Sequence, residues 1–177
     1  MPHSVFAIET PWRHVDDALA AEIVEFWRRH RALPRGADPR DRARQVCVLA
    51  RLDGAIMGLS TAYTDDYRPL ARRFYFYRMF LDPDLRSTRL VAYEHAGRHA
   101  FAAIHLVEES YRVLAAWSKS HPDEQVAGMA AVYESPEIGS RGIDFGNLVL
   151  IGYDAKGQQM RVAWFPHARV ERRLPPA

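Results

Sequence analysis

Apolar positions recur along the chain with two different periods, and the switches between them predict an order of elements. Ser4 to Ile8 is a short apolar run that stops at Thr10-Pro11, the form of a first strand. Asp16 and Asp17 open a segment in which Leu19, Ile23, Phe26 or Trp27 and His30 fall at helical spacing. Acidic residues begin that segment and Arg28, Arg29 and Arg31 end it, the charge order a helix dipole favours. Pro34, Gly36 and Pro39 break the helix, and Asp38 to Arg44 reads either as a short further helix or as loop. Gln45 to Leu52 and Ala55 to Tyr63 are strand-like runs joined by Asp53-Gly54, a pair suited to a two-residue type I′ hairpin turn. Asp65 to Pro69 is expected to be loop.

The next stretch organises the rest. In Phe74 to Leu81, the phenylalanines at 74, 76 and 80 share one face with Arg78, and Tyr75, Tyr77, Met79 and Leu81 share the other. Both faces are bulky, which predicts a central strand covered on both sides. Arg78 in such a strand is costly to bury unpaired, so it is expected to meet a carboxylate or a ligand anion. After Asp82-Pro83 the chain passes through a basic turn. A helix from about Thr88 to Ile104 is predicted, with Leu90, Tyr93, Gly97, Ala100, Phe101 and Ile104 along one stripe, and a second helix over Val107 to Ser120. A strand feeding a basic turn and a helix N-terminus is a place to hold an anion, because free N–H groups and the helix dipole both favour negative charge. Val126 to Glu134, Leu148 to Tyr153 and Gln159 to Phe165 read as strands, the last two around Asp154 to Gly157, whose glycine suits a left-handed loop position.

Composition narrows the classes. The chain has 177 residues, 48% hydrophobic and 26% charged, which suits a single domain, 1–177, with one core. Its net charge of +2 points to no partner class by itself, although nearly all the cations are arginine, the better bidentate binder of phosphate and carboxylate. One cysteine, Cys47, excludes an internal disulfide and sits in an apolar run, as a buried structural thiol does. The first residues lack the build of a signal peptide, and no apolar run approaches the ~20 residues that span a bilayer. The expectation is therefore a cytoplasmic protein without a membrane partner. His95 and His99 have the spacing of a metal pair but no third ligand, and the aromatic strand lacks an RNP-like sequence. Neither a metal nor a nucleic acid is expected.

The order strand, helix, hairpin, long strand, basic turn, helix, strand, terminal hairpin resembles the Gcn-related N-acetyltransferase (GNAT) superfamily. The resemblance implies an α/β (α+β) fold with a mixed, mostly antiparallel central sheet of six to seven strands flanked by helices. It also implies an acyl-CoA cleft where the fourth and fifth strands splay apart. The family signature Q/R-x-x-G-x-G/A follows the fourth strand, and Arg86 falls on its first position. Arg89 and Val91 stand where the signature has glycine and a small residue, so a Cβ occupies places where backbone amides approach a pyrophosphate. Arg78-Met79-Phe80-Leu81-Asp82-Pro83 is also similar to a run in acyl-homoserine-lactone synthases and related N-acyl amino acid synthases, GNAT-fold enzymes that accept acyl groups from acyl carrier protein.

By matched position, Phe80 and Leu81 would offer main-chain contacts to the donor. Arg86, Ser87, Thr88, Arg89, Leu90 and Val91 would cradle its phosphates. Glu134 on the fifth strand is the candidate base, Arg78 a candidate beside it, and Tyr77 a candidate acid among Tyr75, Tyr133 and Tyr153. The implied activity is acyl transfer from acyl-CoA or acetyl-CoA to an amine of a small molecule. Acyl carrier protein is the alternative donor, a GNAT-like domain without acetyl-CoA chemistry the rival, and a homodimer is allowed.

Overall fold

The computed structural model describes residues 6–33, 36–83, 93–95, 98–100, 102–134 and 148–168. Its elements in chain order are β1 (Phe6–Glu9), α1 (Asp17–His30), α2 (Pro39–Ala43), β2 (Val46–Leu52), β3 (Ala55–Tyr67), β4 (Arg72–Leu81), β5 (Tyr93–His95), β6 (Arg98–Ala100), α3 (Ala102–Ser120), β7 (Val126–Tyr133), β8 (Val149–Tyr153) and β9 (Gln159–Trp164). Seven strands form one sheet in the order β1-β2-β3-β4-β7-β9-β8, and β5 pairs with β6 separately. Every pairing in the large sheet is antiparallel except β4 with β7. Parallel neighbours need a crossover, and α3 lies in the one that joins this pair.

Helix α1 forms where the pattern placed it. The Asp16 carboxylate caps it by accepting from the Leu19 amide at 2.8 Å, and Arg31 closes it in a left-handed conformation. Replacing Asp16 with alanine is expected to cost about 1 kcal/mol, read as a shift in the urea midpoint at constant slope. Its buried stripe, Ala20, Ile23, Val24, Phe26 and Trp27, packs on Val46, Leu49, Ile56 and Leu59 of the sheet, with Phe80 at the border. Arg51 fastens the same layer, donating to Glu22 at 2.8 Å and to Glu9 at 3.0 Å. Segment 39–43 resolves as helix, because Asp38 accepts from the amides of Arg40 and Asp41 and Pro39 is preorganised in the first turn.

On the opposite face, Leu106, Val107 and Leu114 of α3 pack against Cys47, Val48, Ala50, Ala62, Tyr75, Tyr77 and Leu81. Cys47 is fully buried beside Ser60 at 3.1 Å, and burial pushes its thiol pKa up to about 11, which leaves it unreactive. The Asp53-Gly54 turn has positive φ at both residues (50° and 84°), as a type I′ turn requires, and Gly157 takes φ 75° in the terminal hairpin.

Three expectations are corrected. Residues 65–67 are not loop: β3 runs on to Tyr67, pairing Asp65 with Phe74, Asp66 with Arg73 and Tyr67 with Arg72. An Arg73–Asp66 ion pair at 3.1 Å and the packing of Tyr67 on Phe74 and Phe76 hold that extension in place. Second, Thr88 to Ile104 is not one helix. Residues 93–95 and 98–100 are antiparallel strands, and a single helix spans Ala102–Ser120 in place of two. Aromatic and histidine side chains and Gly97 are poor helix formers, so the apolar spacing there was not backed by propensity. Third, β4 is not covered on both sides throughout: Arg78 lies exposed on the sheet face and pairs with no carboxylate among the described residues. No helix among the described residues is long and apolar enough to cross a membrane.

Candidate functional site

The site follows from where two registers end. Pairing of β4 with β7 runs from Arg73–Val126 to Tyr77–Ala131 and stops there. Pairing of β4 with β3 continues to Leu81, opposite Gly58. Beyond Tyr77 the two parallel strands therefore part, while β4 stays straight against β3 and β7 stays paired with β9 through Tyr133. A wedge between parting strands exposes main chain on both walls, the kind of backbone that can hydrogen-bond an extended ligand.

Side chains on the α3 side of the wedge are tyrosines and buried small polar groups. The Tyr77 side chain is buried, and its hydroxyl makes no well-formed hydrogen bond among the described residues. Burial, reinforced by Cys47, raises its pKa far above the ordinary phenol value and outweighs the nearby Ser110 and Ser60 hydroxyls. Those serines bond each other at 2.7 Å, and Ser110 also donates to the Leu106 carbonyl at 2.5 Å. Across the wedge, Arg161 of β9 stacks over the Tyr133 ring at 4.9 Å and is itself only 5% exposed.

On the α1 side, the exposed Arg78 guanidinium lies over the Tyr63 ring at 4.9 Å and donates to its hydroxyl at 3.3 Å. Further along β4, Phe80 packs between Phe26 and His30, with ring centroids 5.7 Å from each. His30 pairs with Asp82 at 3.2 Å, and the Asp82 amide donates to the Met57 carbonyl at 2.8 Å, which ties the exit of β4 to the end of α1.

Most of the residues singled out from sequence can now be placed. Tyr77, Arg78, Phe80 and Leu81 lie together on β4 at or just past the parting point. Phe80 and Leu81 both pair with β3 and lend their side chains to the core, so only their main chain is suited to a ligand. Glu134 is exposed immediately after β7, with no ion pair among the described residues. Arg78 and Glu134 do not pair. Arg86, Ser87, Thr88, Arg89, Leu90 and Val91 lie outside the described residues. Tyr75 is excluded from the wedge: it is spent at the other end of the sheet, donating to Glu124 at 2.7 Å. Tyr153 is 64% exposed on the edge strand. Sequence reasoning missed Tyr63, Arg161 and the His30–Asp82 pair, because each depends on a cross-strand or helix–sheet meeting. Of these, only the Tyr63 position on an alternating strand carried a local signal.

The strand order, with one parallel pair at the centre and a terminal hairpin whose last strand inserts inward, decides the fold class. The fold is that of the GNAT acetyltransferases. A GNAT-family acetyltransferase from Streptococcus pneumoniae superposes with TM-score 0.54 at 13% identity, covering 90% of this chain and 99% of that one. The ribosomal-protein-S5-alanine acetyltransferase of Vibrio fischeri superposes with TM-score 0.55 at 12% identity, covering 93% and 96%. No protein-family model and no curated protein matches the sequence. In sheet order β4 and β7 are the fourth and fifth strands, the pair that the resemblance expected to splay apart. Two cavities among the described residues lie elsewhere: one of about 300 Å³ lined by Trp12, Arg112 and Trp117, and one of about 270 Å³ between α1 and α2.

Proposed function

We propose that the protein is an acyltransferase that moves an acyl group from acyl-CoA to an amine of a small molecule. The observation that carries this is the parting of β4 from β7 after Tyr77 within a GNAT-fold sheet. An extended thioester donor fits such a wedge as a further strand, held by main chain from the Arg78 to Leu81 stretch. Arg86 to Val91 remain the proposed phosphate contacts. A main-chain N–H aimed at the thioester oxygen would stabilise the charge that develops as the amine attacks. Glu134, exposed at the β7 wall, is the proposed base for the amine proton.

Tyr77 has a different part from the acid first assigned to it. A phenol whose pKa is raised so far keeps its proton, so it donates a hydrogen bond better than it protonates a thiolate. The leaving thiolate is then protonated by solvent. Tyr77→Phe is expected to lower kcat by about tenfold or less, the scale of one hydrogen bond, whereas loss of a general acid costs about 10²–10⁴. A fall beyond a hundredfold would restore the acid role.

A second reading concerns the donor. The groove between α1 and α2 is lined by Arg28, Arg40 and Arg44, cations suited to an acidic carrier protein. Thermal shift and thioester consumption should be measured with acetyl-CoA, longer acyl-CoAs and acyl carrier protein. Saturable consumption of a CoA thioester is expected. Consumption only from the carrier protein selects the second reading, and binding of no donor rejects acyl transfer.

A further inference from the structure

The face of the sheet that carries α1 has two apolar clusters. One joins α1, Ala43 and the β2–β3 hairpin to Phe80. The other is built on Phe74, Ala127, Ala130 and Val162, with Tyr67, Leu70, Phe76 and Trp164 against it. Between them on β4 stands Arg78, directly across from Thr61 and one residue past the last β4–β7 pair. Tyr63 stacks on Phe76 at 5.5 Å, which fixes its ring under the Arg78 guanidinium.

The backbone brings a second arginine near the same place. Helix α2 ends against β3: the Gln45 amide donates to the Arg42 carbonyl at 3.0 Å, and the Ala62 amide donates to the Gln45 carbonyl at 2.9 Å. This brings Arg42 beside the Ala62–Tyr63 segment. Burial and then the positive charge of Arg78 lower the Arg42 pKa, with Tyr63 acting the other way, so the three groups feel one another. Neither arginine makes an ion pair with a carboxylate among the described residues. Two like charges held together, one of them half-buried, are unfavourable unless something anionic comes between them. The Tyr63 hydroxyl, having accepted from Arg78, still has its own proton to donate.

We infer that Arg42, Arg78 and Tyr63 form an anion subsite for the acceptor, and that the acceptor is an amine carrying a carboxylate or phosphate. This rests on the acyl-transfer reading above. An acceptor entering from the α1 face sets its anion between the two guanidinium groups and its nitrogen toward the wedge. Strands rise about 3.3 Å per residue, and Arg78 is next to the parting point, so amine and anion are separated by only a few bonds. Arginine suits both anions because its planar fork binds either in bidentate fashion.

The test compares acceptors of matched length with whichever thioester donor is consumed. Propylamine is the neutral member, β-alanine the carboxylate, O-phosphoethanolamine the phosphate and diaminopropane the cation. At least tenfold higher kcat/KM is expected for β-alanine or O-phosphoethanolamine than for propylamine, and the better of the two identifies the anion. Arg42→Gln and Arg78→Gln are each expected to raise KM for that acceptor about tenfold while KM for the donor holds. Lys119→Gln, in the exposed last turn of α3, controls for loss of surface charge and should change neither. Thermal melts confirm that each variant is folded. Equal use of propylamine, or a rise in donor KM in place of acceptor KM, overturns the subsite while acyl transfer stands. If no thioester is consumed, calorimetric titration of the same β-alanine and O-phosphoethanolamine still decides. Binding abolished by Arg78→Gln upholds the subsite, and no binding to the wild-type protein overturns it.

Discussion

Gly128→Val is expected to destabilise the protein by about 3 kcal/mol and to lower Tm by roughly 6–12 °C, on the usual scale for overpacking in a chain of this length. A Cβ at Gly128 would stand 2.3 Å from the Ala163 carbonyl oxygen and 3.1 Å from its carbon and from the Trp164 Cα. These are backbone atoms of β9, the strand to which β7 is paired, and they cannot move aside without opening the ladder. Because β7 is one wall of the wedge, turnover of a thioester should fall with stability. Gly58 supplies the contrast. There the tightest neighbour is Leu81 Cδ2 at 2.4 Å, the far end of a flexible side chain. Gly58→Ala should therefore cost less than Gly128→Ala in urea unfolding. The reverse order would show that backbone proximity is not what limits β7.

Glu124→Ala is expected to cost about 2–4 kcal/mol at pH 7, and the part that depends on the carboxylate's charge disappears in acid. Glu124 accepts from the Tyr75 hydroxyl at 2.7 Å and from Trp117 Nε1 at 3.1 Å, with the Arg13 guanidinium 3.9 Å away. Tyr75 is fully buried, so its donor is stranded when the carboxylate goes; Trp117 is partly wet and contributes less. Burial works to raise the Glu124 pKa, but the bonds from Trp117 and Tyr75 and the charges of Arg13 and His121 outweigh it, and the net shift is downward. A carboxylate with a depressed folded pKa contributes stability above its unfolded value of about 4.3 and loses it as pH falls through the folded one. The gap between wild type and Glu124→Ala should then be widest near neutrality and shrink below about pH 4. Urea denaturation at pH 7 and pH 3 measures it, and an equal gap at both would remove the carboxylate from the account.

Much of the layered core was legible locally. The alternation in Phe74 to Leu81 assigns Phe74, Phe76, Arg78 and Phe80 to one face and the tyrosines to the other, and the two faces do pack against different clusters. Asp53-Gly54 named its own turn because few residues tolerate two successive positive φ values. The error at Thr88 to Ile104 has a physical cause: spacing of apolar residues near 3.6 is cheap to produce by chance, and short strands supported by distant partners leave no period to read. Arg78 was placed correctly on its strand, but the cover expected over that face stops short of it.

Period, turn chemistry and helix caps need only neighbours in sequence, so the chain by itself determined most of its elements, their faces and the inertness of Cys47. Tertiary structure alone decided that β9 lies between β7 and β8, that β7 leaves β4 after Tyr77, and that the end of α2 bonds to β3 at Ala62. Each of these is a meeting of segments tens of residues apart, held by backbone ladders that are indifferent to side-chain identity, and no local pattern records them. The candidate site is built from such meetings.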